Sequence, residues 1–214
     1  FTLDTIRQEY PSYGTTDFRE PAYQIKQENG SRITEFVYKN HEIYKGKKKL
    51  EGLPASFGTE EEVETLDLIL KLKGLPATYT AAEDDAVTVE ILLEDELLSV
   101  QMVLSYTIYE DYDAICRNVR FVNNGEQNLD LLRAMSMSVD LYDSDFEMIH
   151  LDGAWARERH KKKRKLVTGI QSISSARGAS SPDHNPFIAL KRPYATEEQG
   201  DAYGFCLIYS GNFL

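Results

Sequence analysis

The chain has 214 residues, 42% of them hydrophobic, and sets 35 acidic side chains against 24 basic ones for a net charge of -11. This hydrophobic share excludes a disordered chain, and the acidic balance argues against nucleic acid as a partner, because such proteins set cations against phosphates. No apolar run reaches the roughly 20 residues of a membrane-spanning helix, and no charged-then-apolar leader opens the chain.

The first segment with a character of its own is Tyr10 to Ala22, where Tyr10, Tyr13 and Phe18 alternate with two prolines, Asp17 and Arg19. Aromatic faces with a carboxylate and a guanidinium between them suit a sugar. The ring covers a C–H face, the carboxylate accepts from hydroxyls and the guanidinium donates to them. The plain alternative is a rigid surface loop with its rings turned inward. Turn chemistry follows at Glu28-Asn29-Gly30, Lys45-Gly46 and Leu72 to Pro76. Leu66 to Leu72, with leucine at every second position, reads as a strand; a helix over Glu60 to Lys73 conflicts with that alternation.

Val87, Val89 and Ile91 alternate with Thr88 and Glu90, and Leu97 to Tyr109 is a long β-branched and apolar stretch without a helix cap. Ile115 to Val122 alternates in the same way. Leu129 to Leu141 places Leu129, Leu131, Met135, Met137, Val139 and Leu141 on one face, which predicts one long half-buried strand. Asn123-Asn124-Gly125-Glu126 lies between these two runs, and Asn-Gly is a strong hairpin signal. Ile115 to Leu141 is therefore expected to form a long antiparallel hairpin. The basic run Arg159 to Lys165 is expected to be a solvated hairpin loop between apolar strands. Leu166 to Ser174, Phe187 to Leu190 and Tyr203 to Tyr209 read as shorter strands, with one long loop from Ser174 to Pro186. No 3.6-residue stripe stands out, so the expectation is all-β: a single large two-sheet antiparallel sandwich over residues 1–214. Phe1 is not an initiator methionine and Gly204 to Leu214 runs into a fresh apolar start, so both ends read as cut from something longer.

Little in the sequence announces catalysis. Glu83-Asp84-Asp85 and Asp143/Asp145 read as solvated turns, because 35 acids make sequence proximity uninformative. There is no Gly-x-Ser-x-Gly elbow and no glycine-rich phosphate cradle. Cys116 and Cys206 sit in alternating runs and read as reduced, packed thiols. Without Cys-x-x-Cys or clustered histidine, a zinc site is not expected. His41 and His160 stand beside charges and read as surface residues, while His150 lies in a strand pattern and reads as a satisfied core histidine. His184, in the long loop, is the one histidine with functional interest. The segment Ala176 to Phe187, small and polar, suits a loop laid against another surface.

Four ordered motifs carry a resemblance: Tyr13-Gly-Thr-Thr-Asp-Phe-Arg-Glu-Pro-Ala22, Leu151-Asp-Gly-Ala-Trp-Ala-Arg-Glu-Arg159, Arg177-Gly-Ala-Ser-Ser181 with His184-Asn-Pro-Phe187, and Tyr209-Ser-Gly-Asn-Phe213. In this order they resemble the amino-terminal β-supersandwich domain of bacterial glycoside hydrolase family 36 α-galactosidases of the melibiase and raffinose-hydrolysing type. The pattern departs at Ala176 and at Pro182-Asp183, where the resemblance leads one to expect Arg and His-Gln.

The resemblance implies retaining hydrolysis by two aspartates on a downstream (β/α)8 barrel. That barrel needs about 250 residues, and neither a Lys-Trp-Asp strand end nor the glycine-rich acid segment occurs here. It thus implies a non-catalytic part of an α-galactosidase with no catalytic residue in this chain and no cofactor or metal. The implied partners are its own barrel, three further subunits of a tetramer and an α-galactoside at a shared pocket, with no nucleic acid or membrane, in the cytoplasm. Tyr13, Asp17 and Arg19 are then expected to reach the sugar pocket of a neighbouring subunit, while Trp155, His184 and Asn185 are expected at the barrel interface. A stand-alone carbohydrate-binding or adhesion module is the rival reading, since an acidic, tyrosine-rich all-β domain fits it equally well.

Overall fold

The strand Val100–Tyr109 carries apolar or β-branched residues on both faces, and its position follows from that pattern. Val100, Met102 and Leu104 are buried on one side, and Val103, Ser105, Thr107 and Tyr109 on the other. A strand hydrophobic on both faces belongs in the middle of a sheet. The structure, a computed structural model, describes residues 6–14, 19–48, 86–208 and 211–214. In chain order its strands are β1 (Tyr23–Lys26), β2 (Val37–Lys45), β3 (Val87–Asp95), β4 (Val100–Tyr109), β5 (Ala114–Asn123), β6 (Asp130–Ala134), β7 (Glu147–Ala154), β8 (Arg157–Lys165), β9 (His184–Lys191) and β10 (Ala202–Cys206). Every ladder between these strands is antiparallel. No α-helix occurs among the described residues. The all-β, antiparallel sandwich expectation holds. The chain divides into two compact units, Phe1–Asp140 and Leu141–Leu214.

In the first unit a four-stranded sheet runs β2-β3-β4-β5, and β1 pairs with β6 as a separate ribbon. Tyr23 and Ile25 of the ribbon bury against Leu98, Val100, Met102 and Leu104, with Phe36, Ile91, Leu93 and Phe121 packed around them. Tyr23 stacks on Tyr10 at 5.6 Å and meets Phe36 edge-on at 5.4 Å, arrangements that the ring quadrupoles favour. On the other face of β4 the buried hydroxyls of Thr88 and Thr107 satisfy each other at 2.9 Å. The Thr88 hydroxyl donates to the Gly46 carbonyl at 2.6 Å, which leaves Thr107 as the donor between the pair. Asp95, buried at the end of β3, accepts from the backbone N–H of Leu98 and of Glu35, closing the turn into β4.

Two sequence expectations fail here. β5 forms its hairpin with β4, through the 3-10 turn Glu110–Tyr112 and Asp113 in the left-handed region, and β6 pairs with β1. The expected 115–141 hairpin is therefore absent. Asn123 spends its side chain locally, accepting from the Gly125 N–H and donating to the Gln127 carbonyl, which turns the chain away instead of folding it back. The ladder also stops at Ala134, and beyond it Met135, Met137 and Val139 are exposed. Leu66 to Leu72, Glu60 to Lys73, the turn at 72–76 and Glu83-Asp84-Asp85 lie outside the described residues.

In the second unit the order is β10-β9-β7-β8. Phe146 and Met148 are its most buried apolar side chains. Arg192 lies 4.0 Å from the centre of the Phe146 ring while its two terminal nitrogens grip Asp143, and Asp143 also caps the turn at Asp145. Glu147 sits between Lys163 at 3.2 Å and Lys191 at 3.1 Å. The basic run is not a loop. It is β8, whose sequence RERHKKKRK pairs residue by residue with β7. The turn moves upstream to Trp155-Ala156, with Ala156 at φ +63°. Gly153 makes this possible, because a Cβ there would run into the Arg157 carbonyl. Leu166 to Ser174 forms no ladder; a single bridge joins Ser175 to Phe213. The long loop ends earlier than expected, at His184, where β9 begins. Cys116 and Cys206 are free thiols, but the first is only half-buried and the second is exposed, against the expectation of two packed thiols.

Candidate functional site

The two ends of the Tyr10–Ala22 segment are tied to the ribbon. Ser12 bridges Tyr23 in parallel fashion, the Ala22 N–H donates to the Pro11 carbonyl at 2.9 Å, and the Met135 N–H donates to the Ala22 carbonyl at 2.8 Å. The fixed φ of Pro11 and Pro21 stiffens the two ends of the segment. Gly14, at φ +86°, turns the chain where a side chain would meet Ile33 at 2.8 Å. Tyr13 beside it is 39% exposed.

Around Tyr10 lies a cluster that the sequence did not announce. The Arg117 guanidinium lies 3.9 Å from the Tyr106 ring centre and 5.8 Å from that of Tyr10, and it reaches Glu9 at 3.4 Å. Tyr106 donates its hydroxyl to Glu9 as well. The Tyr10 hydroxyl donates to the Met135 carbonyl. Burial pushes the Tyr10 hydroxyl far above its usual range, against the pull of the Arg117 cation. For Tyr106, burial is again the largest cause, followed by the bond to Glu9. Both phenols stay protonated as donors at any physiological pH.

Of the loop residues expected to face sugar, Arg19 is held by an ion pair with Asp140, each side chain 24% exposed. Glu20 pairs with Arg133. Asp17 lies outside the described residues.

The second segment is anchored differently. Arg177 pairs with Asp183 at 2.8 Å, one of the positions that departs from the resemblance, and the Gly178 N–H donates to the Asn212 side chain. His184 contacts the Ser174 carbonyl through Nδ1 at 3.2 Å and lies 5.8 Å from the His150 ring. His150 is buried as expected, but its Nδ1 has no hydrogen-bond partner among the described residues, so it is not the satisfied histidine that was expected. Burial, then the Arg164 cation, holds its pKa below the usual imidazole range. Asn185 likewise buries Oδ1 without a partner among the described residues. Trp155 is 86% exposed at the β7–β8 turn, so its ring is not packed among the described residues. Asp143 and Asp145 form a turn, as expected, and His41 and His160 are exposed. A concavity of about 510 Å³, lined by Ser144, Leu166, Val167 and Thr168, carries no carboxylate, imidazole or thiol. Among the described residues no three His, Cys, Asp or Glu side chains are placed to hold a metal ion.

The glycosyl hydrolase family 36 N-terminal domain matches this chain over residues 1–71 and 69–214. The chain belongs to that family. Alpha-galactosidase AgaA of Geobacillus stearothermophilus is 50% identical over 214 residues, which is 100% of this chain and 26% of that protein. Probable alpha-galactosidase C of Aspergillus terreus is 40% identical over 212 residues, 99% of this chain and 25% of that protein. Among solved structures, a Geobacillus AgaA variant in complex with raffinose superimposes with a TM-score of 0.85 at 50% identity, over 99% of this chain and 26% of that one. The alpha-galactosidase from Lactobacillus brevis gives a TM-score of 0.84 at 40% identity, over 99% of this chain and 26% of that one. This family 36 domain thus spans about a quarter of the length of the relatives it matches.

Proposed function

We propose that this family 36 domain is the non-catalytic N-terminal part of an α-galactosidase that removes terminal α-galactosyl residues from melibiose- and raffinose-type oligosaccharides with retention. The observation that carries the reading is the 50% identity to an alpha-galactosidase across the whole of this chain, yet over 26% of that relative. Relatives of the same identity have been solved with raffinose and with stachyose. In this reading the two reactive aspartates lie on a downstream barrel, and hydrolysis runs through a covalent galactosyl-aspartate without cofactor or metal. The domain braces that barrel, supports a cytoplasmic tetramer and walls a neighbouring subunit's sugar pocket. One family match running through both compact units supports their working as a single domain. The loop from Tyr10 to Ala22 supports the wall role: it stands on a clamped base, with Tyr13 half out in solvent and Arg19 held in place. Trp155, exposed at a turn, and the buried Asn185 Oδ1, without a hydrogen-bond partner among the described residues, suit a docking face toward the barrel.

The test is hydrolysis of p-nitrophenyl α-galactoside by this 214-residue chain and by the longer protein that contains it. Turnover is expected only from the longer protein. Turnover by the short chain that disappears when one of its own residues is changed would overturn the reading. Galactoside binding by the short chain as a monomer would favour the stand-alone module instead.

A further inference from the structure

We infer that Asp140 is the positioning residue for Arg19, and so fixes how the Tyr10–Ala22 loop presents its guanidinium; this rests on the proposed role of that loop as a pocket wall. Asp140 Oδ2 accepts from the backbone N–H of Gln8 at 2.9 Å and from the Arg19 guanidinium. Gln8 precedes the loop and Arg19 closes it, so one carboxylate oxygen, more than a hundred positions away in sequence, ties the two shoulders together. The segment that carries Asp140 grips the loop elsewhere too. Arg133 holds Glu20 and the Pro21 carbonyl, while Met135 accepts from Tyr10 and donates to Ala22. Those contacts hold the base. Asp140 is the one among them that reaches the side chain adjoining residues 15–18.

A guanidinium on an exposed loop samples many rotamers, and fixing it on a ligand costs affinity. A charge-assisted bond to a part-buried carboxylate removes much of that freedom beforehand. Asp140 touches no substrate in this scheme. Its effect falls on sugar affinity and leaves the chemical step alone, which is the signature of uniform binding.

The experiment uses the longer active protein with raffinose as substrate. Asp140→Asn keeps an oxygen for the Gln8 N–H and removes the charge that holds Arg19. It is expected to raise KM about 3- to 10-fold with kcat nearly unchanged. Asp140→Glu, which restores the charge on a longer arm, is expected to recover part of that loss. In the Arg19→Ala background, Asp140→Asn is expected to add nothing, because nothing remains to be positioned. Losses that add independently overturn the inference and leave the pocket-wall reading standing. A fall in kcat without a change in KM, or no recovery by Asp140→Glu, also overturns the inference. An Arg19→Ala enzyme with unchanged KM overturns both.

Discussion

In the first unit β4 lies under Tyr23 and Ile25 and is flanked by β3 and β5; ten of the described apolar residues there are buried. Among the described residues of the second unit only Phe146, Met148 and Phe213 reach that state, and the sheet is laced by Glu147 between two lysines and by Arg192 clasping Asp143 over a ring. Apolar burial gives non-directional stability proportional to area. Ion pairs near a surface contribute little each and depend on pH and salt. The apolar core of the first unit is therefore expected to respond less to solution conditions than the sheet of the second, while the ion pairs that pin its 10–22 segment, Arg19 with Asp140 and Glu20 with Arg133, respond as those of the second unit do.

The sharpest way to break this contrast is Tyr23→Ala, which removes the ring shared by Tyr10, Phe36 and Phe121. A loss of about 3–5 kcal/mol is expected, read from denaturant midpoints and from faster amide exchange in β1 and β4. A loss below about 1 kcal/mol would show that rings are not what holds this unit. Next in size, Gly153→Ala drives a methyl group into the Arg157 carbonyl. It should cost about 1–3 kcal/mol, with protection lost in β7 and β8 and none lost in β4.

Acid sharpens the comparison further. His150 has a folded pKa below the ordinary 6.5, chiefly through burial. Above 6.5 both folded and unfolded states hold it neutral, and its contribution is complete. As pH falls through that value the unfolded chain takes up a proton that the folded chain refuses, so stability declines until the folded pKa is passed. Urea midpoints for β7 protection at pH 8 and pH 5 should differ, and His150→Leu should flatten the difference. Smallest is Glu147, whose pKa the bond to Lys191 holds below 4.5. Its contribution is present above the unfolded value and fades as pH drops through the folded one. Glu147→Gln should remove a slight loss of melting temperature below pH 4.5 and leave the neutral-pH value almost unmoved.

Strands β3, β4, β9 and β10 were legible because alternation of side-chain polarity is a direct print of the two-residue repeat. Pairing was not. Alternation says which face is wet and nothing about which strand lies beside it, so β5 and β6 were joined to each other when their partners are β4 and β1. β8 escaped for a second reason: seven of its nine residues are Lys or Arg, leaving no contrast between faces to read. The loop from Tyr10 to Ala22 stood out by composition. Its anchor at Asp140 did not, since nothing local in the sequence marks a carboxylate that will close an ion pair across the whole first unit. Glu9 and Arg117 were invisible for the same reason.

Among the described residues β8 ends its sheet on one side and β10 ends it on the other, and the two margins are chemically opposite. Adjacent strands lie about 4.8 Å apart, so a second β8 laid alongside the first would stack lysine upon lysine, a contact that repels until salt is high. That margin is closed to templated growth into fibrils. β10, reading Ala-Tyr-Gly-Phe-Cys, carries no charge to refuse a newcomer. Aggregates seeded by this sheet would therefore grow from one flank alone.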